Sequence, residues 1–373
     1  MTHLPHTPTV PAGIYTFFAT REYFEQLIQD IATTETGDRV LLASMGFDAN
    51  GTLMQTLLSE LSAAATRGVD ITLQIDAYNF LSDGHFRPGP LLWRNTIPTK
   101  MATPFRNVYE PLMALEAAGV KLVITNMPGR RFTVPFAGRS HIKCSIINDK
   151  IYLGGCNIDE QNLDCMVSWR DHTSADWIYH LLQKRLAEPR SLQAFGTQDL
   201  HHKTPDASEI IVDVGVRRQS AIYERALEII DGAEEWIIIT CQFFPNSLTA
   251  KHLRQAHDRG VKVYPIFNHY SAHDTLSQPL QHAVTARERL HMPRQFFDTE
   301  LPAGTTYLHA KILATESQAL IGSHNYVTAG VNFGTAEIAI HHKTAEFSRA
   351  CAQLIAKETG LDDRPAFGFL RKK

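Results

Sequence analysis

Two stretches of this chain repeat one outline: HIKCSIINDKIYLGGCN from His141 to Asn157, and HAKILATESQALIGSHN from His309 to Asn325. Each opens on an H-x-K triplet, closes on Gly-x-Asn and places the Asn 16 residues after the His. Side chains two apart on an extended strand face the same way, so each copy sets an imidazole beside an ammonium. A single H-x-K is commonplace and reads as a solvated pair on an edge strand. Its return at a matching place in a repeated unit argues against accident. The chain is expected to fold as two related units, each supplying half of one site.

The repetition reaches well beyond the triplets. REYFEQLIQDI puts Phe24, Leu27, Ile28 and Ile31 at helical spacing, and AIYERALEII does the same with Tyr223, Ala226, Leu227 and Ile230. Each helix runs into a turn and then an apolar strand, RVLLASMGF or EEWIIITCQFF. A second helix follows, ended by Arg67-Gly68 or Arg259-Gly260, and then another strand. Helices alternating with strands imply an α/β fold with helix-covered sheets. The expected division is a flexible N-terminus (1–13), a first lobe (14–187) with a Pro/Gly-rich insertion (81–107), a linker (188–208) and a second lobe (209–373).

The bulk figures exclude several classes. With 44% apolar and 20% charged residues, the chain is an ordinary globular protein with length enough for two cores. Its five cysteines show no regular spacing, which fits a reducing compartment. The polar, Pro-rich start lacks a signal-peptide pattern, and no apolar run could span a bilayer. A cytoplasmic location, with peripheral membrane contact at most, is therefore expected. The formal net charge of −3 argues against a dedicated nucleic-acid binder.

Two imidazoles, two ammoniums and two amides suit attack on a phosphodiester, where charge grows on the equatorial oxygens. Lys143 and Lys311 can serve as point charges, and Asn157 and Asn325 as amide donors. One histidine can attack phosphorus while the other handles the proton. The two rings must then lie within about 10 Å of each other. Each ring needs an acid on its other nitrogen. The candidates are Glu337, 28 residues after His309, and Asp171, 30 residues after His141.

The paired H-x-K and Gly-x-Asn motifs resemble the phospholipase D superfamily over residues 14–360. The run Gly154, Gly155, Asn157, Trp169, Arg170, Asp171 is most similar to its cardiolipin synthase branch. The resemblance implies two pseudo-symmetric α/β/α sandwich lobes with the active site at their interface. It also implies a covalent phosphohistidine, no metal and no cofactor, with His141 as nucleophile and His309 as general acid and base. The sequence departs from the family at the motif aspartate, which is replaced by Asn148 and Glu316. Asp149, one place further on, offers a substitute, and both hairpins are one residue short. Since that aspartate is thought to act near the hairpin turn, an active enzyme is still expected.

The implied substrate is a glycerophospholipid; the alternative is a nuclease or soluble phosphodiesterase of the same fold. Pro90, Leu91, Leu92 and Trp93, flanked by Arg87 and Arg94, form an apolar tip that could touch a membrane or fold over the core. Arg130, Arg131, Arg139, Arg94 and Lys100 read equally as a phosphate clamp or a solvated face. Aromatic interleaving is thin, which weighs against nucleic acid. His201-His202 and His341-His342 lack the spacing of a zinc site. Both motifs lie in one chain, so a monomer suffices for a complete site.

Overall fold

The computed structural model describes residues 14–77, 106–126, 138–187, 196–206, 208–245, 247–272 and 278–371. The insertion tip at 90–94, with Arg87, Lys100, Arg130 and Arg131, lies outside them.

Two seven-stranded sheets organise these residues. The first is built from β1 (Thr16–Ala19), β2 (Arg39–Ser44), β3 (Asp70–Asp76), β4 (Lys121–Thr125), β5 (Cys144–Ile147), β6 (Lys150–Gly154) and β7 (Cys165–Arg170). Its order across the sheet is β1-β7-β6-β5-β2-β3-β4. The second contains β8 (Leu200–Lys203), β9 (Glu209–Val214), β10 (Trp236–Cys241), β11 (Lys262–Phe267), β12 (Ile312–Thr315), β13 (Ala319–Gly322) and β14 (Ala336–His342). Read from the other edge, its order is β8-β9-β14-β13-β12-β10-β11. Aligning β2 with β10 and β5 with β12 superimposes six strands, leaving β4 and β8 as opposite-edge additions. β8 falls inside the stretch read as a linker and pairs antiparallel with β9.

The parallel pairs are β2–β3, β3–β4 and β10–β11, each joined through helices as parallel strands require. Helices α1 (Thr20–Ala32), α2 (Thr52–Thr66) and α3 (Arg106–Ala117) cover the outer face of the first sheet. Leu27, Ile31, Leu57 and Leu61 pack there against Leu42, Ile71 and Leu73. On the second sheet, α5 (Ala221–Gly232) and α6 (Ser247–Asp258) do the same through Ile222, Ile229 and Leu253. Ser220 caps α5 by accepting the Tyr223 N–H at 2.9 Å.

Between the sheets lie α4 (His172–Ala187) and α9 (Ala345–Glu358). Eight residues of α9, from Phe347 to Ala356, are buried, which suits a helix covered on most sides. Phe17, Leu41 and Val167 from the first sheet share one core cluster with Val212, Ile312 and Ile340 from the second. At ~1.5–3 kcal/mol per buried large side chain, this middle layer is what binds the lobes together.

Candidate active site

The residues His141 to Lys143 and His309 to Lys311 precede β5 and β12, in extended backbone just upstream of each sheet ladder. Each segment is instead held by the opposite lobe. The His141 N–H donates to the Ala336 carbonyl at 2.8 Å, and the Ala336 N–H donates to that of Arg139 at 2.8 Å. Across the pseudo-two-fold, the His309 N–H donates to the Leu163 carbonyl at 2.7 Å, and the Leu163 N–H to that of Tyr307 at 2.8 Å. Ser140–Ala336 and Leu163–Leu308 are thus matched interlobe bridges.

These bridges bring the two imidazoles together, with ring centroids 6.5 Å apart. They also cross the acids over. Nδ1 of His141 lies 2.8 Å from Oε2 of Glu337 in the second lobe, and Nδ1 of His309 lies 2.5 Å from Oδ2 of Asp164 in the first. Ser323 Oγ donates to the same Glu337 oxygen at 2.5 Å, fixing the carboxylate. With each Nδ1–H given to a carboxylate, Nε2 of each ring is left for chemistry.

Asp171 is not one of these acids. It stands at the start of α4, where its carboxylate accepts the backbone N–H groups of Thr173 and Ser174, both at 3.2 Å, and it acts as a helix cap. Sequence reasoning missed Asp164 in its favour. Trp169 is buried in the shared core, and Arg170 pairs with Asp149 on the surface.

Lys143 and Lys311 are 0% and 1% exposed, and each reaches the carbonyl of its own histidine. Burial, reinforced by Lys311, brings the Lys143 ammonium down to about 7, and burial also lowers Lys311. Lys311 comes within 2.6 Å of Nδ1 of His309, the atom that Asp164 also approaches. One nitrogen cannot serve both, and the charged Asp164 accepts its N–H. Burial and the adjacent Lys311 pull His309 down to about 3, and burial lowers His141 against the pull of Glu337. Burial works against ionisation of Glu337, yet His141 carries it to about 2; Lys311 and His309 likewise hold Asp164 low. Both rings are thus held toward their neutral forms between two carboxylates.

Oδ1 of Asn325 is buried and unpartnered. Oδ1 of Asn157 accepts the Gly46 N–H at 2.9 Å, which steadies the loop after β2. The glycines before Asn157 are needed because the Asp164 strand passes close by. A Cβ on Gly155 would lie 2.0 Å from Asp164 Oδ1, and one on Gly154 would lie 2.2 Å from the Cys165 carbonyl oxygen. The replaced motif aspartates sit at the hairpin turns. Asn148, at φ 53°, accepts the Arg39 N–H at 3.1 Å, and Glu316 accepts the N–H groups of Glu234, Glu235 and Trp236. Both tie a hairpin to the start of the neighbouring strand, away from the histidines.

Arg139 is neither a solvated face nor a free clamp: it is buried and paired with Asp76 at 3.1 Å. His201 pairs with Glu209, His202 stacks on Trp177, His341 lies against Arg225 and His342 against Asp206. Among the described residues, no group of three or more His, Cys, Asp or Glu is placed to hold a metal ion. Nor is any helix among them long and apolar enough to cross a membrane.

Residues 226–358 match the family model described as "Cardiolipin synthase, PLD-like domain". No curated protein matches the chain. Among solved structures, phosphatidylserine synthase from Haemophilus influenzae Rd KW20 is similar over 96% of this chain and 88% of its own, with a TM-score of 0.68 at 14% identity. Polyphosphate kinase from Porphyromonas gingivalis is similar over 92% of this chain and 50% of its own, with a TM-score of 0.54 at 13% identity. A phospholipase D family member, Nuc from Salmonella typhimurium, aligns with 47% of this chain and 95% of its own, at 17% identity and a TM-score of 0.32. The chain thus shares the two-lobed fold of that phosphatidylserine synthase, and within it residues 226–358 are similar to a phospholipase D-like domain.

Proposed function

We propose that the protein is a phospholipase D-type phosphatidyltransferase or phosphodiesterase acting on glycerophospholipids, in the manner of a cardiolipin synthase, through a phosphohistidine. The observation that carries this reading is the pair of imidazoles 6.5 Å apart, each backed by a carboxylate from the opposite lobe.

In the first step Nε2 of His141 forms a bond to phosphorus. The bond from phosphorus to the leaving alcohol breaks, and that oxygen takes a proton from Nε2 of His309. In the second step His309 removes the proton of an acceptor hydroxyl. Its oxygen bonds to phosphorus as the phosphorus–nitrogen bond breaks, and both rings return to their starting forms. Lys143, Lys311, Asn157 and Asn325 surround the phosphoryl oxygens and stabilise their added charge. Burial, with Lys311 adding to it, holds His309 toward its neutral form, and the negative charge of a bound phosphodiester offsets the Lys311 part and so favours the protonated general acid.

The lipid assignment draws support from the cardiolipin synthase character of the family model and from the likeness to a phosphatidylserine synthase. One chain supplies both histidines, so a monomer suffices, and contact with membrane is expected to be peripheral. The test is turnover of labelled phosphatidylglycerol and of labelled DNA by wild type and His141→Ala. Lipid turnover lost in the variant supports the reading. DNA cleavage alone would replace it with a nuclease.

A further inference from the structure

The segments bearing the two histidines are also held from within their own lobes, by two side chains at equivalent places. Asp76 ends β3, and Asn268 directly follows β11; these strands run parallel to β2 and β10 in the superimposed half-sheets. In the first lobe, Oδ2 of Asp76 accepts the Ser140 N–H at 2.8 Å and the Asn126 amide at 2.5 Å, while Oδ1 accepts from Arg139 at 3.1 Å. In the second, Oδ1 of Asn268 accepts the Leu308 N–H at 2.8 Å, and Nδ2 donates to the Leu308 and Gln242 carbonyls at 2.8 and 3.1 Å. Ser140 and Leu308 are the residues immediately before His141 and His309. Both braces are buried.

We propose that Asp76 and Asn268 are a pseudo-symmetric pair of positioning residues, each setting one histidine on the phosphorus. The proposal rests on the phosphoryl-transfer reading of the site. A buried backbone N–H must find a partner, so removing a brace lets the preceding peptide shift to find another. A displacement of ~1 Å at the reacting ring is enough to cost about 100-fold in rate. The braces also complement the crossed contacts: the peptide before each histidine is fixed by its own lobe, while the histidine's N–H and ring are fixed by the other. Their chemistry differs for a physical reason. A carboxamide donates and accepts, so Asn268 grips both sides of Leu308 without a counter-ion. A carboxylate only accepts, so Asp76 needs Arg139 and Asn126 around it.

The test exploits the division of labour between the rings. A p-nitrophenyl leaving group departs without a proton, so the first step with bis(p-nitrophenyl) phosphate needs the nucleophile and not the general acid. Asn268→Ala should lower kcat for an alkyl phosphodiester about 10- to 100-fold with KM within about threefold, while its single-turnover p-nitrophenol burst stays close to wild type. Asp76→Ala should slow the burst itself about 10- to 100-fold. The reverse pattern would exchange the roles of the rings and still support the braces. Equal slowing of the burst by both variants, or normal rates in both, would overturn the proposal. Imidazole NMR titration gives a readout independent of turnover. Asn268→Ala should move the His309 resonances and leave those of His141, and Asp76→Ala the reverse. Movement of both rings in both variants, or of neither, would also overturn it. A wild type without any burst, but with this selective movement, would count against the phosphohistidine reading and not against the braces.

Discussion

Asp164 and Asp171 stand seven residues apart, and the site uses only the first. Asp164→Asn should lower kcat about 100-fold, because the amide leaves His309 without a charge to stabilise its protonated form. Asp171→Asn should leave kcat unchanged and cost at most ~1 kcal/mol of stability, as expected of a helix cap; activity assay and thermal unfolding of the two variants check the contrast. Lys143 provides a second residue-scale prediction. Burial, reinforced by Lys311, brings its ammonium down to about 7, while a bound anion favours the charged form. Anion binding therefore takes up a proton, and affinity should fall as pH rises through 7. Calorimetric titration with sulfate, whose charge does not change in this range, should show a loss approaching about tenfold per pH unit above 7. Lys143→Met should bind weakly and without this dependence.

At the scale of elements, the repeated hairpins, their flanking helices and the strand that follows were legible, because hydrophobic spacing and turn glycines are local signals. Two properties were not. The H-x-K segments were expected on the first strand of each hairpin; the structure places them just before it, since their partners come from the other lobe. The acid of His309 was hidden for a related reason. Asp164 follows Asn157 by seven residues, whereas Glu337 follows Asn325 by twelve, with the short helix α8 (Thr328–Phe333) inserted between. Matching offsets from the histidines pointed past Asp164 to Asp171. The Gly154-Gly155 pair was seen as a motif, but its cause is steric and lies in the neighbouring strand. Gly155→Ala should push the Asp164 carboxylate aside. We expect at least about a tenfold loss of kcat, with the loss absent from the control Gly232→Ala, where a Cβ meets nothing within 4 Å.

For the whole molecule, duplication made the two-lobed plan readable, while its closure depends on contacts separated by 145 and 196 residues in the chain. No local pattern encodes such pairs. The single core cluster through α4 and α9 means that neither lobe has a private inner face. Calorimetry should show one cooperative transition with matching calorimetric and van't Hoff enthalpies. Phe347→Ala should lower its midpoint, at a cost of ~3–5 kcal/mol, without splitting it. The central claim is that one site is assembled crosswise from both halves. Its most direct test is quantitative trapping of the phosphoryl adduct in a single turnover, mapped by mass spectrometry in wild type and Glu337→Gln. The account predicts one adduct per chain, on His141, formed at least about 100-fold more slowly when the second-lobe acid is neutralised. Two adducts per chain, or an unchanged rate in Glu337→Gln, would contradict it.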